Sequence, residues 1–189
     1  MIDVRKLALP SCLRVRRQAL YPWVVIVFVS GSLNSGKSVT ASAFASEYGF
    51  THLEVDDFKD VVAPNFDPTE DSEINALIDH LVSYLNDPDR SGSNLVVSWV
   101  LRPADVERFR SELLDPEIYV LTLAPPIEIA MTDRGDRELS EWERDRVAVH
   151  YEEGVSKLSD CHSIDNGELT PSETAARMAE LLDLPDVCT

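Results

Sequence analysis

The chain has 189 residues, enough for one domain with a substantial core, and its 44% apolar share is ordinary for a globular protein. Its formal charge of −17 argues against a general nucleic-acid surface, which needs cationic area. Cys12, Cys161 and Cys188 lie far apart and form no C-x-x-C pair, which fits a reduced cytoplasmic chain better than a disulfide scaffold or a zinc site.

Residues 1–22 carry Arg5, Lys6, Arg14, Arg16 and Arg17 against a single acid, Asp3. They read as a basic leader of little order, followed by one domain over residues 23–189. The apolar run after the leader is too short for a signal peptide's apolar region plus a cleavage site, and no segment reaches transmembrane length. No membrane partner is expected.

That run, Trp23 to Val29, is β-branched and aromatic and predicts a buried parallel strand. Directly after it, Gly31-Ser32-Leu33-Asn34-Ser35-Gly36-Lys37-Ser38 fits G-x-x-x-x-G-K-[ST] without a gap. In such a loop the backbone N–H groups converge on an anion, and the following helix aims its positive end at the same point. Gly31 and Gly36 permit backbone angles that a side chain would obstruct. The motif assigns Gly31 through Val39 to a nucleotide, with Lys37 across the β- and γ-phosphates of ATP and the Ser38 hydroxyl on Mg²⁺. Strand, loop and helix stand in the order that a chance match would lack. The helix starts near Lys37, carries small and apolar residues over Val39 to Tyr48, and stops at Gly49.

Beyond it, strand-like and helix-like segments alternate, predicting α/β architecture with a parallel sheet. Thr51–Val55 is the second strand, ending in Asp56-Asp57-Phe58, and residues 59–72 read as an acidic loop. Ile74, Leu77, Ile78, Leu81, Val82 and Leu85 form a helical stripe. Strand three is Leu95–Val100, followed by a helix over Ala104–Leu114 after Pro103. Strand four is Ile118–Leu123. Pro126 to about Gly154 reads as a helix pair broken near Arg134-Gly135-Asp136, and strand five is His162–Asp165. Thr170 and Glu173 form a capping box that opens the last helix. Ligands of open α/β sheets bind beyond the carboxyl ends of the strands. The loop, Asp56 with Asp57, Ser98 to Arg102, and Asp165-Asn166 are therefore expected to converge.

The set "GSLNSGKS", "LEVDDF", "VVSWVLRPADVERFR", "TDRGDRELSEWERDR" and "SIDNGELTPSET" resembles the small P-loop kinases, a group that includes shikimate, gluconate and adenylyl-sulfate kinases and chloramphenicol phosphotransferase. The similarity covers about residues 23–183. It implies a three-layer P-loop fold with a five-stranded parallel sheet in 2-3-1-4-5 order, a helical lid, and phosphorylation of a small-molecule hydroxyl. By the same resemblance Asp56 binds the acceptor hydroxyl, acting as base or holding a water on Mg²⁺, with Asp57 beside it. Arg134 and Arg137 close over the phosphates as lid residues, Arg144 could continue their face, and Arg102 contacts substrate or phosphate. His52, His80, His150 and His162 show no metal spacing, and Trp142 reads as a packing residue.

Two features depart from the group. Strand three, "NLVVSWV", has no terminal Asp, and no arginine occurs between Lys59 and Arg90, which disfavours shikimate. From Asp56 to Asp89 ten acids stand against Lys59 alone, favouring a neutral or cationic acceptor. A nucleotide-binding regulatory or interaction protein without transfer activity is the alternative reading. A polynucleotide-end kinase is a third, which the charge opposes.

Overall fold

In the computed structural model the described residues are 24–63, 65–87, 93–114, 117–133 and 138–183. The expected leader, Trp23, Arg134 and Arg137 lie outside them.

Five parallel strands form one sheet in the order β2-β3-β1-β4-β5, the order the resemblance implied. They are β1 (Val25–Gly31), β2 (Thr51–Glu54), β3 (Leu95–Ser98), β4 (Glu117–Leu123) and β5 (His162–Ile164). The helices are α1 (Lys37–Tyr48), α2 (Lys59–Val62), α3 (Asp71–Leu85), α4 (Pro103–Glu112), α5 (Ile127–Ala130), α6 (Glu141–Glu152) and α7 (Pro171–Leu181).

β1 is the centre of the sheet, paired with β3 on one side and β4 on the other. Side chains alternate across a strand, so its apolar run serves two cores. Ile26 and Phe28 pack on one face with Leu77, Leu81 and Phe109. Val27 and Val29 pack on the other with Phe44 and Met178. The Phe28 and Phe109 rings stack with centroids 4.6 Å apart. Helices on both faces give the three layers that a sheet apolar on both sides requires.

Local chemistry ends the helices where the sequence indicates. Gly49 takes the left-handed conformation at φ 71° and donates its N–H to Ala45 O. Thr170 Oγ1 accepts from Glu173 N at 3.2 Å, and the Glu173 carboxylate returns a bond to Thr170 N at 2.8 Å. Removing this reciprocal pair with Thr170→Ala should cost about 1 kcal/mol. That corresponds to a melting temperature lower by roughly 2–4 °C for a chain of this size, measurable by calorimetry.

Three segment assignments need correction. Residues 59–62 are a short helix, not loop, and α3 begins at Asp71. Val55 opens a 3-10 turn over Val55–Phe58 instead of extending β2. β3 stops at Ser98: Trp99 keeps one bond, from its N–H to Val29 O of β1 at 3.2 Å, and the chain then runs toward Pro103 at the start of α4. The turn brings Asp56 round, and the early end of β3 sets Arg102 at the mouth of the cleft described next.

Candidate nucleotide and acceptor site

The loop after β1 is built as its composition demands. Gly31 sits at φ 141°, and a Cβ there would meet Leu123 O at 2.5 Å and Ser35 Oγ at 2.7 Å. No other residue fits. Gly36 is left-handed at φ 89° and precedes α1 with no side-chain cap. Gly36 thus offers no side-chain acceptor at the positive end of α1, the end that favours an anion. Asn34 also adopts a left-handed conformation, at φ 58°. Its Nδ2 donates to Ala130 O at 2.9 Å and Thr132 O at 2.8 Å, tying the loop to the end of α5. Asn166 Nδ2 donates to Ser35 O at 2.9 Å from beyond β5. Lys37 Nζ lies back on Ser32 O at 2.7 Å.

This loop forms one wall of a cleft of about 850 Å³. Of the four clusters expected to converge, each contributes: the loop, Asp56, residues 99, 100 and 102, and Asn166 all line it. Ser38 and Val39 line it as well, whereas Asp57 and Asp165 do not. The Asn166 side chain is buried with Oδ1 unpartnered, and the buried Ser32 and Ser35 hydroxyls are likewise without a partner. A helix start with no side-chain cap, a lysine and the orphaned Asn166 oxygen in one cleft suit a polyphosphate nucleotide.

The acceptor side is more acidic than basic. Glu54, Asp56, Asp71 and Asp105 line it with Lys59 and Arg102, four carboxylates to two cations. Asp56 pairs with Lys59 at 2.7 Å. Arg102 is held by Asp105 at 2.9 Å and by Asp71 at 2.6 Å, and the Asp105 side chain is only 2% exposed. Its guanidinium charge is compensated from within the protein, which weakens it as an anion contact. Those hydrogen bonds raise its pKa further.

At the end of β3, where an acid is missing, the neighbouring strand brings one. Glu54 pairs in register with Ser98, and its Oε2 accepts from Ser98 Oγ at 2.9 Å. His52 Nε2 lies 2.8 Å from the same hydroxyl. The Ser98 side chain is fully buried, so this Glu-Ser-His chain cannot present a serine nucleophile. Burial lowers the His52 pKa, opposed by Glu54 and Asp57.

α6 supplies what the sequence reading missed. Glu143, Arg146, His150 and Glu153, spaced three and four apart, all line the cleft. Arg144 does not share that face: it is exposed and pairs with Asp133 at 2.9 Å. Arg146 lines the cleft, as Arg102 does. Among the described residues, Arg102, Arg108, Arg110, Arg144 and Arg177 each have a carboxylate partner. Arg146 is instead 3.1 Å from His150 Nε2. Trp142 is 50% exposed at the cleft rim, not a packing residue. The i, i+4 spacing of Arg146 and His150 was the only sequence signal for this pair.

No family model and no curated protein sequence matches the chain. Solved structures do share its fold. A sugar kinase from a Janibacter species aligns with TM-score 0.65 at 19% identity, over 86% of this chain and 96% of that one. The tunicamycin resistance protein of Deinococcus radiodurans aligns with TM-score 0.59 at 18% identity, over 88% and 99%. Shikimate kinase from Aquifex aeolicus aligns with TM-score 0.59 at 17% identity, over 84% and 96%. The fold is that of the small P-loop kinases. Among the described residues no helix is long and apolar enough to cross a membrane.

Proposed function

We propose that the chain is an ATP-dependent phosphotransferase acting on a hydroxyl of a small molecule. The observation that carries this reading is that a phosphate loop, the Asp56 carboxylate and Arg146, which contacts His150, line one cleft. The loop amides and Lys37 bind the polyphosphate. Asp56 orients the acceptor hydroxyl and takes its proton. Arg146 reaches the phosphates from α6, and Arg134 and Arg137 act in the lid.

Mg²⁺ bound with the nucleotide would offset charge on the transferring group. Ser38 would be its ligand from the chain, and Glu54 and Asp56 are the carboxylates that can hold its water. Such ions usually take one or two protein carboxylates plus phosphate oxygens and water, so a protein cage is not needed. Because Glu54 lies beside the end of β3, the missing strand-three acid favours a regulatory protein less than the sequence suggested.

A cleft with more carboxylates than cations at its acceptor end favours a neutral or amine-bearing substrate over a carboxylate. The deciding measurement is ADP release with a panel of neutral, cationic and anionic hydroxyl compounds. Turnover confined to anionic acceptors would reverse the charge argument, and nucleotide binding with no transfer to any acceptor would favour the regulatory reading. Arg146→Ala should weaken ATP by about ten- to 150-fold, since a hydrogen bond to a charged group is worth roughly 1.5–3 kcal/mol. Unchanged ATP affinity in calorimetric titration would remove Arg146 from the nucleotide site.

A further inference from the structure

His150 is 5% exposed and faces two groups at once. Its Nδ1 is 3.4 Å from Leu33 N in the loop, and its Nε2 is 3.1 Å from Arg146 Nη2. Both neighbours are donors only. A neutral imidazole has one lone pair to offer, because its other nitrogen carries the proton. Burial first, then the charges of Arg146 and Lys37, bring the His150 pKa down to about 4. The ring is therefore neutral near pH 7, and it can satisfy the loop amide or the guanidinium, but not both.

From this geometry we infer that His150 is a positioning residue whose single lone pair passes from Arg146 to the Leu33 amide when a nucleoside triphosphate enters the loop. The inference rests on the nucleotide reading above. Without nucleotide, the shorter contact assigns the lone pair to Arg146 and leaves Nδ1–H against the Leu33 N–H. Phosphate oxygens are stronger acceptors for a guanidinium than a neutral ring nitrogen is. Once they draw Arg146 away, the proton leaves Nδ1 for water and another joins Nε2, with no net change in charge. Nδ1 then accepts the Leu33 N–H and fixes the loop. One residue thus couples the α6 arginine to the conformation of the loop.

The test is the tautomer of His150, read by two-bond proton–nitrogen correlation NMR on ¹⁵N-histidine-labelled protein and assigned with His150→Asn. Mg²⁺ with the non-hydrolysable analogue AMP-PNP should convert Nδ1–H to Nε2–H. The same tautomer before and after, with loop amide signals shifted by the bound analogue, overturns the handover but not the nucleotide site. Unmoved loop amides at saturating AMP-PNP overturn both. Two variants divide the roles, since the amide oxygen of Asn falls near Nδ1 and that of Gln near Nε2. His150→Asn keeps the loop acceptor and should bind AMP-PNP within about twofold of the wild type. His150→Gln keeps only the arginine acceptor and should bind about five- to tenfold more weakly, the loss of one hydrogen bond. Equal affinity of the two variants would overturn the assignment, whatever their melting temperatures.

Discussion

Lys37→Ala should fold normally and lose ATP affinity by about thirty- to several-thousand-fold, the range expected when one partner of a desolvated charge pair is truncated at about 2–5 kcal/mol. Normal folding is expected because Lys37 supports little of the protein. Its ammonium donates to the Ser32 carbonyl, and its side chain is only partly buried in the cleft wall. The loop itself is held by other bonds, from Asn34 to the end of α5 and from Asn166 to Ser35. The measurement is calorimetric titration of ATP·Mg²⁺ into wild type and variant, with melting curves as the fold control. Wild-type affinity in a folded variant would overturn the assignment of the loop to a nucleotide.

The phosphate loop was readable because it is contiguous. Eight residues in sequence determine the turn, the glycine conformations and the start of α1, so local chemistry was sufficient. The same is true of Thr170 and Glu173, three residues apart at the start of α7. The strand order was implied by the resemblance and depends on pairings that no local pattern contains. The convergence of the strand ends was legible from the fold class, but the individual contacts between distant segments were not. The role of Arg102 changed because Asp71, 31 residues away, and the buried Asp105 neutralise it. Glu54 entered the site only through its register with Ser98 on the next strand. His150 reaches a loop amide 117 residues earlier, and only Arg146 four positions before it distinguishes its sequence neighbourhood from those of the other three histidines. The short helix α2 escaped notice because one turn has too few positions to show a period.

Asp56→Asn should bind ATP within a few-fold of the wild type, yet transfer phosphate at least about tenfold more slowly once an acceptor is identified. The change preserves shape and removes charge and basicity. Nucleotide affinity should survive because the loop amides and Lys37 hold the phosphates without Asp56. General-base contributions reach about a hundred- to ten-thousand-fold, while a dissociative transfer asks less of the base and sets the lower figure. The exposed Asp56 is tied to the partly buried Lys59 at 2.7 Å, so the substitution also frees a cation at the acceptor side. A cationic substrate should then suffer in KM as well as kcat, whereas a neutral one should lose mainly kcat. Two controls make the result specific. Asp57→Asn should be mild, since Asp57 stands outside the cleft lining. Glu54→Gln keeps an acceptor for Ser98 and should slow transfer only if its charge serves the bound metal. Wild-type transfer by Asp56→Asn with a collapse in Glu54→Gln would move the acceptor carboxylate from the turn to the end of β2. Wild-type transfer by both would place the acceptor site outside this end of the cleft.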